Sequence, residues 1–321
     1  MTDAVTPGLQ GYDVIGDVHG CADTLERLLD KLGYHLGPNG YHHPRRQVVF
    51  VGDIIDRGPR IREALLLVRT MVESGAAHMV LGNHEFNALM YCTPNEGPEG
   101  GYLRPHSPRN AWQLAETLEQ FADYPDEWQD HLDWFQRLPL FLEWHSFRVV
   151  HACWDAHLIA CHRARFGSGH FDRAFLQETA DSHSVAARTK QRLTSGIDLP
   201  LPQGMSIVSS DGVERTHFRT KFWAPEAETY GQLLFQPDPL PEGVSEQPID
   251  PAHRERMITY GENEKPVFVG HYWLKGRPAP VAPNIACLDY SAVKFGRLVA
   301  YRFDGEKQLD PKKFVWSYVD P

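Results

Sequence analysis

The sequence predicts an α/β fold, a parallel sheet with covering helices, broken by one large insertion. Three observations predict it. Short apolar runs alternate with helical periodicity in the first part of the chain. Three of those runs end in Gly-Asp or Gly-Asn. Strand-like runs then return near the C-terminus, after a stretch that breaks the rhythm.

Residues 12–16 form a short apolar run ending in Gly-Asp. Asp23-Thr24-Leu25-Glu26 has the pattern of a capping box opening a helix to about Leu32. Residues 47–51 are β-branched and again end in Gly-Asp. A helix over 60–73 follows, with Ile61, Leu65, Val68 and Val72 on one face. Residues 77–81 are the third strand and end in Gly-Asn. The Gly- and Pro-rich stretch 93–110 reads as a loop, followed by helices over 111–123 and 126–137. Residues 140–144 and 147–151 pair around His145-Ser146. Residues 155–264 read as an inserted α+β cap within a single domain spanning 1–321. The cap begins helical, carries a hairpin over 205–208 and 213–219 turned at Ser210-Asp211-Gly212, and ends in a Pro-rich connector over 236–251. Strands resume at 267–269, 285–288 and 298–303.

Composition limits the function. The chain has 321 residues and a net charge of −10, against a general nucleic-acid binder, which needs a basic surface. No apolar run approaches the length of a membrane span, and residues 1–10 lack the regions of a secretory signal. The five cysteines are scattered, with no CxxC pair, which suits a reducing cytoplasm.

The chemistry gathers at strand ends, where open α/β sheets bind ligands. The clusters are Asp17 with His19, Asp53 with Asp56 and Arg57, and Asn83 with His84 and Glu85. Two later strands end in His151 and His271. A lone Gly-Asp is most often a helix cap. The conjunction of three clusters with Asp, His and Asn donors instead points to hard or borderline divalent cations, with manganese first and iron or zinc as alternatives. No cysteine stands in these clusters, so this is not a zinc–thiolate site. The donors are too many for one catalytic ion with an open position and suit two ions sharing a carboxylate. Arg57 offers a planar fork for a phosphoryl group.

These clusters resemble the GDxHG, GDxxDRG and GNHE signatures of calcineurin-like metallophosphoesterases. The DRG form is similar to the phosphoprotein phosphatase branch, which includes serine/threonine phosphatases and symmetrical diadenosine tetraphosphate hydrolases. The resemblance covers the chain to about His151 and resumes near Lys265. It implies a two-sheet β-sandwich flanked by helices, four layers in αββα order, with metals at one edge. It implies Asp17 and His19 on a first metal, Asp53 bridging, and Asn83, His151 and His271 on a second. It implies His84 as general acid supported by Asp56, and Arg57 and Asn83 on the substrate phosphate. Arg219 is the candidate second arginine there. The implied reaction is attack by a hydroxide held between the metals, without a phosphoenzyme. Its substrate would be a phosphorylated small molecule, a phosphopeptide or a dinucleoside polyphosphate.

Two positions depart from the family pattern. Gly270-His271-Tyr272-Trp273 lacks the second histidine of the Gly-His-x-His ending, and His151-Ala152-Cys153 replaces His-Gly-Gly. Asp289-Tyr290 matches the position of an active-site loop residue in relatives. The residues leave three functions open. The first is hydrolysis of phosphate monoesters, phosphoserine and phosphothreonine included. The others are bis(5'-nucleosyl)-tetraphosphate hydrolysis and a catalytically dead metal-binding scaffold. Elsewhere, Trp112, Trp128 and Trp134 read as core, His42 and His43 as loop, and His106, His162, His170 and His183 as surface. Cys153 reads as a buried thiol without a base, and Tyr102 and Arg104 as the edge of the pocket.

Overall fold

The computed structural model describes residues 8–201, 205–208, 214–235, 240, 243–294 and 296–319. Two sheets face each other. In the first, Gly11–Ile15, Arg46–Phe50 and Ala77–Met79 run parallel, and Arg297–Phe303 joins antiparallel to Gly11–Ile15. Arg297–Phe303 also pairs with Asp289–Tyr290 and with Phe314–Tyr318. In the second sheet the order is Ile285–Cys287, Val267–Val269, Arg148–Val150 and Phe141–Glu143, and the first three are parallel.

Side-chain alternation explains the layering. Val14, Val49, Val149, Phe268, Ala286 and Tyr301 turn inward and fill the space between the sheets. Their neighbours Ile15, Val48, Phe50, Val267 and Val269 face outward and pack under helices. Helix Ala22–Leu32 covers the first sheet with Leu25, Leu28, Leu29 and Leu32 and stops at Gly33, whose φ of 86° is open to glycine. Helix Ile61–Glu73 buries Ile61, Leu65 and Val68 alongside it, while Val72 is half-buried. The result is the four-layer αββα architecture.

Several local expectations are corrected. Ala22–Leu32 starts one residue before the capping box, with no side-chain cap, and Asp23 pairs with Arg60 instead. Asn83–Cys92 is a helix the sequence reading did not assign. Helices Pro108–Gln120 and Pro125–Phe135 start earlier than expected, each with proline in its first turn. Trp112 is 74% exposed, because Pro108–Gln120 buries only Leu114 and Thr117 and Trp112 lies on the other side. Trp128 and Trp134 are buried as expected. His162 is buried, not on the surface: it bonds the His170 carbonyl and packs on Phe141, Phe166 and Phe175. His42 lies in the short strand Gly40–His42. The final strand Phe314–Tyr318 was not anticipated.

Residues 155–264 carry helices Ala156–Phe166, Arg173–Glu178 and Val185–Ser195, then a small antiparallel sheet of Asp198–Pro200, His217–Thr220 and Leu234–Phe235. That sheet has its own apolar cluster, including Leu199, Phe218, Tyr230 and Leu233. The expected 213–219 strand divides in two. Glu214–Arg215 pairs with Ile207–Val208, and His217–Thr220 joins the other sheet. The Ser210-Asp211-Gly212 turn lies outside the described residues, as does part of the 236–251 connector. Among the described residues no helix is long and apolar enough to cross a membrane, and all five cysteines are free.

Glu143 ties this region to the second sheet. Its carboxylate accepts from Arg148 at 2.8 Å, Arg163 at 2.6 Å and Lys265 at 3.1 Å. Burial alone would raise its pKa, but these three cations hold it down to about 2, from an ordinary 4.5. The stability it contributes is therefore fully present above about pH 4.5 and is lost as pH falls toward 2. Glu143→Gln should cost about 1–2 kcal/mol at pH 7, discounted for partial exposure. In urea melts across pH the gap to wild type should close between pH 4.5 and 2. A gap independent of pH would contradict this assignment.

Candidate metal centre and active site

Parallel strands of both sheets deliver their C-terminal ends to one edge. Gly11–Ile15 leads to Asp17 and His19, Arg46–Phe50 to Asp53, and Ala77–Met79 to Asn83 and His84. From the second sheet come His151 and His271, and Asp289 follows its strand Ile285–Cys287 where the chain crosses into the first sheet. Backbone bonds tie these turns together. Val18 and His19 amides donate to the Asp53 carbonyl, and Gly270 to that of His151.

The turns are strained. Among the described residues, positive φ at a non-glycine occurs only at His19, Asp53, Asp56, Arg57, His271 and Ser291. Five of these six are sequence-predicted site residues. Such conformations cost about 1–3 kcal/mol each and persist only where surroundings over-determine them. Glu85 is one cause. Its fully buried carboxylate accepts from the amides of Gly82, Asp53, Ile54 and Ile55 at 2.7–3.3 Å, clasping the Asp53 turn to the start of helix Asn83–Cys92. Close approach is the other cause. A Cβ on Gly82 would overlap Asp53 Oδ1, and one on Gly270 would overlap Asp17 Oδ1.

The histidines are oriented from behind. His19 Nδ1 donates to the Ile55 carbonyl at 2.9 Å, and His151 Nδ1 to that of Val51 at 2.8 Å. His84 Nδ1 donates to Asp56 Oδ2 at 2.5 Å. Each bond turns the Nε2 atom toward Asp53 Oδ2, at 3.8 Å for His19 and His84 and 3.3 Å for His151. Backing of this kind fixes the tautomer of a metal-ligating histidine. Arg57 donates to His19 Nε2 at 3.3 Å and His84 Nε2 at 3.0 Å, so both nitrogens present lone pairs. Asp53 Oδ1 accepts the His84 amide at 2.9 Å.

Two donor groups result, His19–Asp53–His84 and Asp53–His151–His271, and Asp53 belongs to both. Asp17 stands beside them, accepting the His271 amide at 3.1 Å. Asn83 Oδ1 is 3.2 Å from His151 Nε2. His271 Nε2 is buried with no partner among the described residues. Leaving such an atom unpaired is costly, and a cation would satisfy it. The charges point the same way. Burial, then the neighbouring Asp289, raises Asp17 well above the usual carboxylate range. Burial would lift Asp53 too, but His151 and His84 hold it well below that range. Burial, then Arg57, keeps His19 neutral, and burial, then Arg219, does the same for His271. His151 resists its own burial because Asp53 raises it to about 10. Buried carboxylates around the neutral imidazoles of His19 and His271 fit a divalent-metal centre.

The remaining predicted residues divide. Arg219, in strand His217–Thr220, donates to the His271 carbonyl at 3.0 Å, so residues 155–264 reach the site. Arg215 lies in the separate two-stranded ribbon. Cys153 is buried, and burial pushes its thiol up to about 12, which leaves it unreactive. Sequence reasoning gave Glu85 no role, although a Glu three residues after the helix N-cap can reach back to its amide, as Glu85 does to Gly82. Thr117 was missed altogether. It donates to Asp56 Oδ1 at 2.5 Å and accepts the Asp56 amide at 3.1 Å, from a helix distant in sequence.

The model of the calcineurin-like phosphoesterase family matches residues 12–184, more than half of the chain. The chain belongs to this family. The family implies a divalent metal centre. Among its relatives is an asymmetrical bis(5'-nucleosyl)-tetraphosphatase of Oceanobacillus iheyensis, 34% identical over 155 residues, which are 46% of this chain and 58% of that protein. Another is a symmetrical bis(5'-nucleosyl)-tetraphosphatase of a Janthinobacterium strain, 33% identical over 138 residues, 43% of this chain and 42% of that protein. The chain thus spans about half the length of these curated relatives. A serine/threonine phosphatase structure from Saccharomyces cerevisiae aligns over 100% of this chain and 82% of its own, at 13% identity and a TM-score of 0.49.

Any phosphoesterase activity of the chain should depend on Thr117 through Asp56. Thr117→Val should lower kcat about tenfold with little change in KM, because it loosens the partner of His84 rather than a substrate contact. Steady-state kinetics beside a circular dichroism melt would check this; an unchanged kcat in a folded variant would contradict it. Gly82→Ala should remove activity and metal together, read by turnover and by metal analysis of the purified variant. Retention of both would contradict the close packing of Gly82 on Asp53.

Proposed function

We propose that the chain is a two-cation phosphohydrolase whose preferred substrate is a bis(5'-nucleosyl) polyphosphate. The observation that carries the chemistry is the single carboxylate of Asp53 shared by two histidine groups. The relatives that are bis(5'-nucleosyl)-tetraphosphatases support the substrate. Hydrolysis of phosphate monoesters, phosphoserine and phosphothreonine included, is the other reading, and the Asp56-Arg57-Gly58 form leans towards it by resemblance.

Asp17 and His19 would hold one cation, Asn83, His151 and His271 the other, and Asp53 both. The mix of carboxylate, imidazole and amide donors suits manganese, with iron or zinc as alternatives. Bound there, the cations supply Lewis acidity that activates water and neutralises charge on phosphoryl oxygens.

The chain's own groups do the rest. Arg57 turns its fork from His19 and His84 to two phosphoryl oxygens, and Arg219 and Asn83 add donors beside it. Releasing His84 Nε2 lets it take a proton, and the carboxylate of Asp56 stabilises the resulting imidazolium. The water oxygen bonds to phosphorus as the bond to the leaving oxygen breaks. His84 Nε2 gives its proton to that oxygen, and a proton of the water passes to solvent. We further read residues 155–264 as a cap inserted into one domain. It has its own apolar cluster and docks where the Ala152 amide meets the Leu193 carbonyl of helix Val185–Ser195.

The test is turnover by protein stripped of metal and reloaded with manganese. Diadenosine tetraphosphate should exceed p-nitrophenyl phosphate and a phosphoserine peptide in kcat/KM by at least about tenfold. Preference for the peptide would overturn the substrate reading in favour of the monoester one.

A further inference from the structure

Helix Asn83–Cys92 leads away from the site with one side open. His84, Glu85, Phe86, Ala88, Leu89 and Met90 are buried, whereas Asn83, Asn87 and Tyr91 are only half-buried or less. Spaced four residues apart, those three form a stripe about 12 Å long at 1.5 Å per residue. It begins at Asn83, beside His151 and next to the proposed acid His84.

Two cations flank this stripe. Lys190, on the cap helix Val185–Ser195, places Nζ 3.4 Å from Asn87 Oδ1 and 5.7 Å from the centre of the Phe86 ring. Arg104 is fastened to the same helix, its amide donating to the Met90 carbonyl. Its guanidinium donates to Gln113 at 2.7 Å, one helical turn from the Thr117 that holds Asp56. Both side chains are half-buried, and neither pairs with a carboxylate among the described residues. Burial and then the charge of Arg104 push Lys190 down to about 8. The charge of Asp56 offsets part of the burial of Arg104, but no carboxylate does so for Lys190, and half-buried like charges are costly unless an anion joins them.

Beyond the cations the stripe ends in stacked rings. Tyr91 stacks on His106 at 3.8 Å and 15°, and His106 on Tyr102 at 4.1 Å and 18°. Tyr102 is 44% exposed. An exposed aromatic at the end of a cationic groove offers a face on which a nucleobase can stack.

We propose that this groove holds the leaving nucleotide, with its phosphates on Lys190 and Arg104 and its base on the Tyr102 stack. The proposal rests on the phosphohydrolase reading above and narrows it to substrates whose leaving group is itself phosphorylated. His84 serves the leaving oxygen, so charge released on bond cleavage appears at the mouth of this groove. A serine hydroxyl leaving group carries no charge for Lys190 and Arg104 to meet. The cap thereby acquires a task, because Lys190 is its contribution to substrate choice.

The experiment compares manganese-loaded wild type, Lys190→Gln, Arg104→Gln and Tyr102→Ala on diadenosine tetraphosphate and p-nitrophenyl phosphate. For either cation variant, the ratio of kcat/KM on the dinucleotide to that on the monoester should fall about tenfold or more. For Tyr102→Ala it should fall several-fold through KM. An unchanged ratio in the cation variants would overturn the proposal. A second readout separates it from the phosphohydrolase reading: calorimetric binding of ATP to the metal-free protein. Lys190→Gln and Arg104→Gln should weaken binding about tenfold, and equal affinity in wild type and variants would overturn the proposal. If wild type turned over neither substrate, the activity reading would fall and this binding comparison would decide the groove by itself.

Discussion

The molecule depends on one buried carboxylate held in a conformation its backbone disfavours. Asp53 sits at φ 54°, 2% exposed, with one oxygen on the His84 amide and the other facing His19, His84 and His151. Nothing in the Asp53 turn alone would keep it there. Glu85 clasps the amides on either side, glycines let the neighbouring turns close in, and the two sheets supply the rigid edge. Strain of this kind is what pre-organisation looks like in a folded chain: the cost is met by packing elsewhere, and the site meets its ligand ready-made.

The site then orders itself in shells. Backbone carbonyls of Ile55 and Val51 fix two histidines, and a Thr117–Asp56 pair fixes a third. Residues 155–264 add Arg219 on one side and Lys190 on the other. The inner donors would serve any phosphate ester, while the outer cations and the aromatic stack have work only if the leaving group is large and charged. On the proposed reading, common chemistry lies in the sheet edge, and selectivity lies in the loops and residues 155–264.

Much of this was legible in the sequence. Strand-ending Gly-Asp and Gly-Asn pairs located Asp17, Asp53 and Asn83, because tight turns after parallel strands need glycine and deliver polar side chains to one edge. His151 and His271 were legible because they too follow short apolar runs. What was not legible depended on contacts distant in sequence. Thr117 looks like any threonine on a helix until the fold brings it to Asp56. Lys190 looks like a solvated charge until helix Val185–Ser195 docks beside Asn87. Trp112 was misjudged because helical periodicity does not say which face is covered, and the capping box at Asp23 lost to an ion pair with Arg60. The short helix Asn83–Cys92 went unassigned because its weak amphipathic pattern follows directly on the motif.

A crystal structure of the manganese-loaded protein, with anomalous data collected near the metal edge, tests the central claim most directly. Two anomalous peaks should flank the Asp53 carboxylate, one beside Asp17 and His19 and the other beside Asn83, His151 and His271. A single peak, or two peaks neither of which touches Asp53, would contradict the account.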